Sequence, residues 1–193
     1  MVPSAMHTAV QAIIREHQQL AVVVGGMQRF IELVDAHAQT PDAIVFRAML
    51  YYIREYPEQI HHPKEDCYLF ARLRMRTADL DEIIEELEHQ HAQGEAKVRE
   101  LERVFTRYEL ADEAAFAALR DSVYEYARFF AEHRRLEEEL ILPAALRFLT
   151  REDWIEVDAA FGANRDPFEG MKTESDLDHL FEMVVKAIPD LGG

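Results

Sequence analysis

Residues 61–70 read HHPKEDCYLF, two histidines, a proline and two carboxylates inside a run that otherwise repeats apolar residues every three or four positions. A proline removes a backbone donor and buried charges resist desolvation, so a helix that keeps this stretch needs a compensating partner for it. Outward from here the chain holds helical periodicity over long segments, and Gly and Pro number only 7 each in 193 residues. That predicts long helices and almost no strand.

The first helix is expected from about Ser4, a good N-cap, to about Ala38, with Val10, Ile13, Leu20, Val24, Met27, Ile31 and Val34 on its inner stripe. Gly25 and Gly26 mark a place where a neighbour approaches closely. QTPD at 39–42 opens a second helix from about Asp42 to Arg76, bent by Pro57 and Pro63. TADLDE supplies Thr77 or Asp79 as cap for a third helix to about Tyr108, and after ELADE a fourth runs from about Asp112 to Leu149. Short loops between four helices make an all-α, antiparallel up-down-up-down four-helix bundle the economical architecture, over residues 1–149. Residues 150–193 form a helical C-terminal extension packed on the bundle: TREDWIEVDAAF as a short helix, NRDPFEG as a turn and SDLDHLFEMVVKAI as a last amphipathic helix. Trp154, Phe161, Phe168 and Phe181 are its packing anchors.

A formal charge of -16 with no basic stripe repels phosphate backbones and anionic lipids, which excludes nucleic acid and membrane surfaces as natural partners. The same excess attracts cations. The N-terminus MVPSAMHTAV lacks a basic n-region and an apolar h-region, which predicts a cytoplasmic protein. The lone Cys67 cannot close an internal disulfide.

In an antiparallel pair, residues equally far from the connecting loop share a height. His17 and His61 flank the loop near Thr40 at almost equal distance, His61 and His91 do so around Thr77, and His91 and His133 around Ala111. The mismatch of two positions amounts to about 3 Å along a helix. Each of four helices therefore presents one histidine to one layer, and the apolar residues flanking each turn it inward. His89 falls on the opposite face from His91, and His7, His37 and His179 lie far from the layer as surface or packing residues. Glu65 and Glu137 follow His61 and His133 by four residues, one turn along the same face. HHPKEDCYLF and HRRLEEELIL align as an internal echo at the His, the Glu and the apolar residues beyond.

Burying four imidazoles and two carboxylates without partners costs several kcal/mol per charged group, whereas a metal centre partners all six. A single zinc closes at four ligands, so six nitrogen and oxygen donors fit two octahedral ions better, with iron or manganese favoured by the mixed donor set. Cys67 turns away from Glu65 and is read as a packing residue.

These residues resemble the hemerythrin-like proteins, specifically the bacterial HHE cation-binding domains. The resemblance covers roughly residues 5–149. It is carried by YYIREYPEQIHHPKEDCYLFARLR and EHRRLEEELILP, with support from REHQQL and QHAQGEAKVREL. It implies a non-haem di-iron centre, with manganese or zinc as substitutes, in which His17, His61, His91 and His133 are terminal ligands and Glu65 and Glu137 are bridges. Oxygen-carrying members have a second histidine four residues after the third-helix ligand, where this chain has Glu95. Glu95 is open to three readings: a replacement carboxylate ligand, an outer residue supporting the ligands, or a solvated side chain. His62 is a second candidate for a seventh donor, or else it hydrogen-bonds a carboxylate such as Asp66. A carboxylate in place of an imidazole adds negative charge, favours ferric iron and shifts the expectation toward sensing or iron handling.

The resemblance makes binding or sensing of dioxygen, nitric oxide, iron or redox state the leading reading. A carboxylate-bridged di-iron oxidase, peroxidase or ferroxidase competes, drawing on EQIH (Glu58, His61) and ELEH (Glu86, His89). A metal-free helical interaction module with a polar core is the third.

Overall fold

The structure, a computed structural model, describes residues 7–37, 42–111 and 113–162. The expectations placed on Ser4, Pro41, Asp112, His179, Phe168, Phe181, NRDPFEG and SDLDHLFEMVVKAI lie outside the described residues. The chain is all-α, with no strand among the described residues. Helix α1 (Thr8–Asp35) is followed by α2 (43–76), α3 (Asp81–Ala111), α4 (113–148) and a shorter α5 (Arg151–Gly162).

Partner residues run in opposite directions along adjacent helices, which makes the bundle antiparallel. Along α2 from Arg47 to Arg54, ion-pair partners on α3 retreat from Glu109 to Glu102. From Gln90 to Lys97 on α3, partners on α4 retreat from His133 to Glu125. Helix α1 meets α2 through His17 with His61 at one height and Phe30 with Phe46 at another. The ring closes where α1 packs on α4.

The prolines of α2 widen the helix rather than break it. Asp42 caps its start by accepting from the Ile44 N–H. Pro57 then opens a π-helical turn, Pro57–His61, in which the His61 N–H reaches back five residues to the Tyr56 carbonyl. A second π turn covers Glu65–Phe70, and α4 has one at Glu137–Ile141. The internal echo read from the sequence is thus also an echo in backbone, with a buried Glu opening a π turn in each copy. Such turns cluster at functional sites because they re-aim side chains that a regular helix would turn aside.

Two apolar clusters sandwich the histidine layer. One is built around Phe46, Phe105, Phe30 and Met49, with the Phe46 and Phe105 rings stacked at 4.3 Å. The other is built around Ile13, Phe70, Leu73, Ile84 and Ile141, and it takes in Trp154, Val157 and Phe161 of α5. Helix α5 packs on α1. Thr150 and Asp153 cap it reciprocally, and Asp153 also receives Arg76 from the end of α2 through two hydrogen bonds of 2.7 and 2.9 Å. His7 stacks on Trp154 at 3.9 Å and pairs with Asp158, which fits the packing role expected of it.

Two expectations need correction. A side chain at Gly25 would meet nothing within 4 Å, so that glycine makes no room for a close neighbour. Cys67 is exposed rather than packed. No described helix is long and apolar enough to cross a membrane.

Phe46→Ala removes a fully buried ring from the aromatic cluster, and we expect a loss of about 3–5 kcal/mol in denaturant unfolding. A loss below about 1 kcal/mol would mean that this cluster does not hold the helices together.

Candidate metal centre

His17 on α1 and His61 on α2 bring their Nε2 atoms to 3.2 Å. Across the bundle, His91 on α3 and His133 on α4 hold their ring centroids 4.9 Å apart. Glu65 and Glu137 lie between the two pairs. Oε1 of Glu65 is 3.3 Å from His61 Nε2, and its Oε2 is 3.7 Å from His91 Nε2. Oε2 of Glu137 is 3.0 Å from His17 Nε2, while its Oε1 is 3.3 Å from His133 Nε2 and 3.8 Å from His91 Nε2. Each carboxylate therefore turns one oxygen toward each histidine pair. All six side chains are buried.

The outer nitrogens are held just as systematically. Nδ1–H of His61 donates to Glu16 at 2.6 Å, that of His91 to Asp66 at 2.8 Å, that of His133 to Gln90 at 3.1 Å and that of His17 to Glu138 at 3.1 Å. The acceptors form a closed circuit: α1 supports the histidine of α2, α2 that of α3, α3 that of α4, and α4 that of α1. Fixing Nδ1 in this way orients every ring and aims Nε2 at the centre. Glu16 is steadied in turn by the Tyr56 hydroxyl, and Glu138 by Arg134. Apolar period alone does not assign Glu16, Gln90 and Glu138, and Asp66, expected beside His62, serves His91 instead. Each of the four stands next to a candidate ligand in the chain, which is the signal that would have found them.

His62 joins the layer. It is buried, stacks on His91 at 4.1 Å and lies 5.2 Å from His133, ring to ring. His62, His91 and His133 offer nitrogen atoms within 4.8 Å of one another. Glu95 is placed differently: its side chain is 57% exposed and pairs with Arg99. Of its three readings the solvated one fits. Glu86 and His89 are exposed, so ELEH stays outside the core. Phe161 of α5 closes the His61 side, its ring edge-on at 6.4 Å.

The donor set fits a pair of cations. Both oxygens of Glu65 and of Glu137, and Nε2 of His91 and of His133, are buried without a hydrogen-bond partner. So many orphaned donor atoms facing one another are costly, and a bound cation satisfies them together. His17, His61, Glu65 and Glu137 form one group of mutually close donors, and Glu65, His91, His133 and Glu137 form a second that shares both carboxylates.

Protons compete for the same atoms. Burial drives Glu65 well up, and the neighbouring Glu137 adds to the effect. Burial would raise Glu137 too, but His133, His17 and His91 around it hold it well below the usual carboxylate range. Burial lowers His133 to about 4. It also opposes the charged form of His17 and His91, yet Glu137 and Glu138 lift His17 to about 9, and Asp66 and Glu137 lift His91 to about 9. A cation must displace the protons that His17 and His91 hold below about pH 9, so affinity should rise with pH up to that point and protons should be released on binding. Calorimetric titration in buffers of different ionisation enthalpy checks this. Affinity that is flat between about pH 6.5 and 9 would contradict the charge assignment.

A family model, the hemerythrin HHE cation binding domain, matches residues 8–145. No curated protein and no solved structure matched the chain.

Proposed function

The chain belongs to the hemerythrin HHE cation-binding family, and from that premise we propose that its layer holds two non-haem iron ions and binds or senses a small ligand such as dioxygen or nitric oxide, or responds to iron and redox state. The observation that carries this reading is the pair of buried carboxylates, each with one oxygen toward each histidine group. In this assignment His17 and His61 would hold one ion, His91 and His133 with His62 would hold the other, and Glu65 and Glu137 would be shared between them. Manganese or zinc are possible substitutes in the same donor set.

A pair of iron ions held there would supply one-electron redox chemistry and a position for exchangeable diatomic ligands. The protein's own part is to orient and exclude. The circuit of Nδ1 bonds keeps each ring in place, the two apolar clusters keep bulk water from the layer, and Phe161 screens His61. Residues 1–149 make up the metal-binding domain in this reading, and 150–193 its extension, supported by the packing of α5 on α1. A cytoplasmic setting and the absence of nucleic-acid or membrane partners belong to the same proposal.

The oxidase or ferroxidase reading retains one supporting feature, the EQIH stretch, since Glu58 as well as His61 is turned into the core. Turnover of ferrous iron or peroxide separates it from binding. The metal-free module is disfavoured by the orphaned carboxylate oxygens.

Anaerobic chelation should lower the melting temperature, because a cation that binds only the folded state stabilises it by linkage. His133→Ala should load fewer ions than the unaltered protein. Identical melting curves with and without chelator would favour the metal-free module.

A further inference from the structure

Of the five imidazoles buried among the described residues, four have their Nδ1 held by a neighbouring helix, while Nδ1 of His62 is buried without a partner of hydrogen-bond length. The carboxylate beside it is Glu58, one turn earlier on α2, with Oε2 at 3.7 Å and a side chain only 5% exposed. A carboxylate this deeply buried is where it is for a reason, since desolvation opposes it. Room for it comes from α3: a Cβ on Gly94 would overlap both oxygens of Glu58. Gly94 lies one turn beyond His91, on the helix where Glu95 is turned to solvent.

We infer that Glu58 is a positioning residue for His62, accepting its Nδ1–H and aiming its other nitrogen into the His91–His133 group, and that Gly94 is the gap which admits the Glu58 carboxylate. A closing movement of about 0.7 Å brings the pair to ordinary hydrogen-bond length. His62 then becomes the third imidazole of that group, supplied from α2 rather than from the position of Glu95. Glu58 differs from the other four supports in serving a histidine on its own helix, because the π turn Pro57–His61 places His61 and His62 inward in succession. This rests on the two-ion reading above, and the wild-type protein tests that reading separately.

The experiment is anaerobic titration of the full chain with ferrous iron, with the number of ions bound, their affinities and the melting temperature recorded for each variant. Glu58→Leu and Gly94→Ala should each weaken one of the two ions by about 10–100-fold and leave the other unchanged. Glu58→Gln keeps an acceptor oxygen and should retain most of the affinity. Gly94→Ala guards against a folding artefact, since Ala is the better helix former and touches neither ion's donors. Because Glu58 acts through His62, the double variant Glu58→Leu/His62→Ala should bind no more weakly than His62→Ala alone. Wild-type affinity for both ions in Glu58→Leu and Gly94→Ala, or losses that multiply in the double variant, would overturn the inference. Fewer than two ions on the unaltered protein would instead overturn the two-ion reading beneath it.

Discussion

Two buried carboxylates without hydrogen-bond partners are the constraint on which the rest of this structure turns. Glu65 and Glu137 lie at the centre of the bundle, surrounded by imidazoles and sealed above and below by apolar clusters. Their desolvation is offset in part by His17 and His91, which Glu137, helped by Glu138 and Asp66, holds in the charged form. A cation does this more fully, since it partners the oxygens and the inner nitrogens at once. The fold is therefore organised around a charge balance that its own side chains complete only through shared protons.

The circuit of outer acceptors explains why one such layer needs four helices. Glu16, Asp66, Gln90 and Glu138 each hold the ring of a histidine on the next helix, so no helix can shift without loosening a histidine it does not itself carry. The three π turns fall at His61, Glu65 and Glu137, where the backbone must present adjacent polar residues to the core. Helix α5 completes the enclosure at the other end, tied to α2 by Arg76 and Asp153 and covering His61 with Phe161.

Much of this was legible in the sequence because it follows from period and distance. Long apolar stripes marked the helices, and near-equal spacing from the loops placed His17, His61, His91 and His133 at one height. What escaped depends on departures from the regular helix or on contacts between helices. A π turn takes one more residue per turn and shifts which positions face inward, so a regular 3.6-residue period could name His62 only as a candidate while its neighbours in space stayed hidden. Glu95 drew attention through its place in a motif, whereas the carboxylate that enters the core near it, Glu58, comes from another helix through the space left by Gly94. Asp66 was given to His62 by its spacing on one helix, yet it reaches across to His91.

The most direct test of the central claim is the metal content of freshly purified protein, with the visible spectrum of the same sample recorded reduced without air and again after exposure. About two irons per chain are expected, with oxo-bridged charge-transfer bands that appear in air and fade on re-reduction. No iron, and no uptake of added ferrous iron, would contradict it and leave the histidine layer as a polar core.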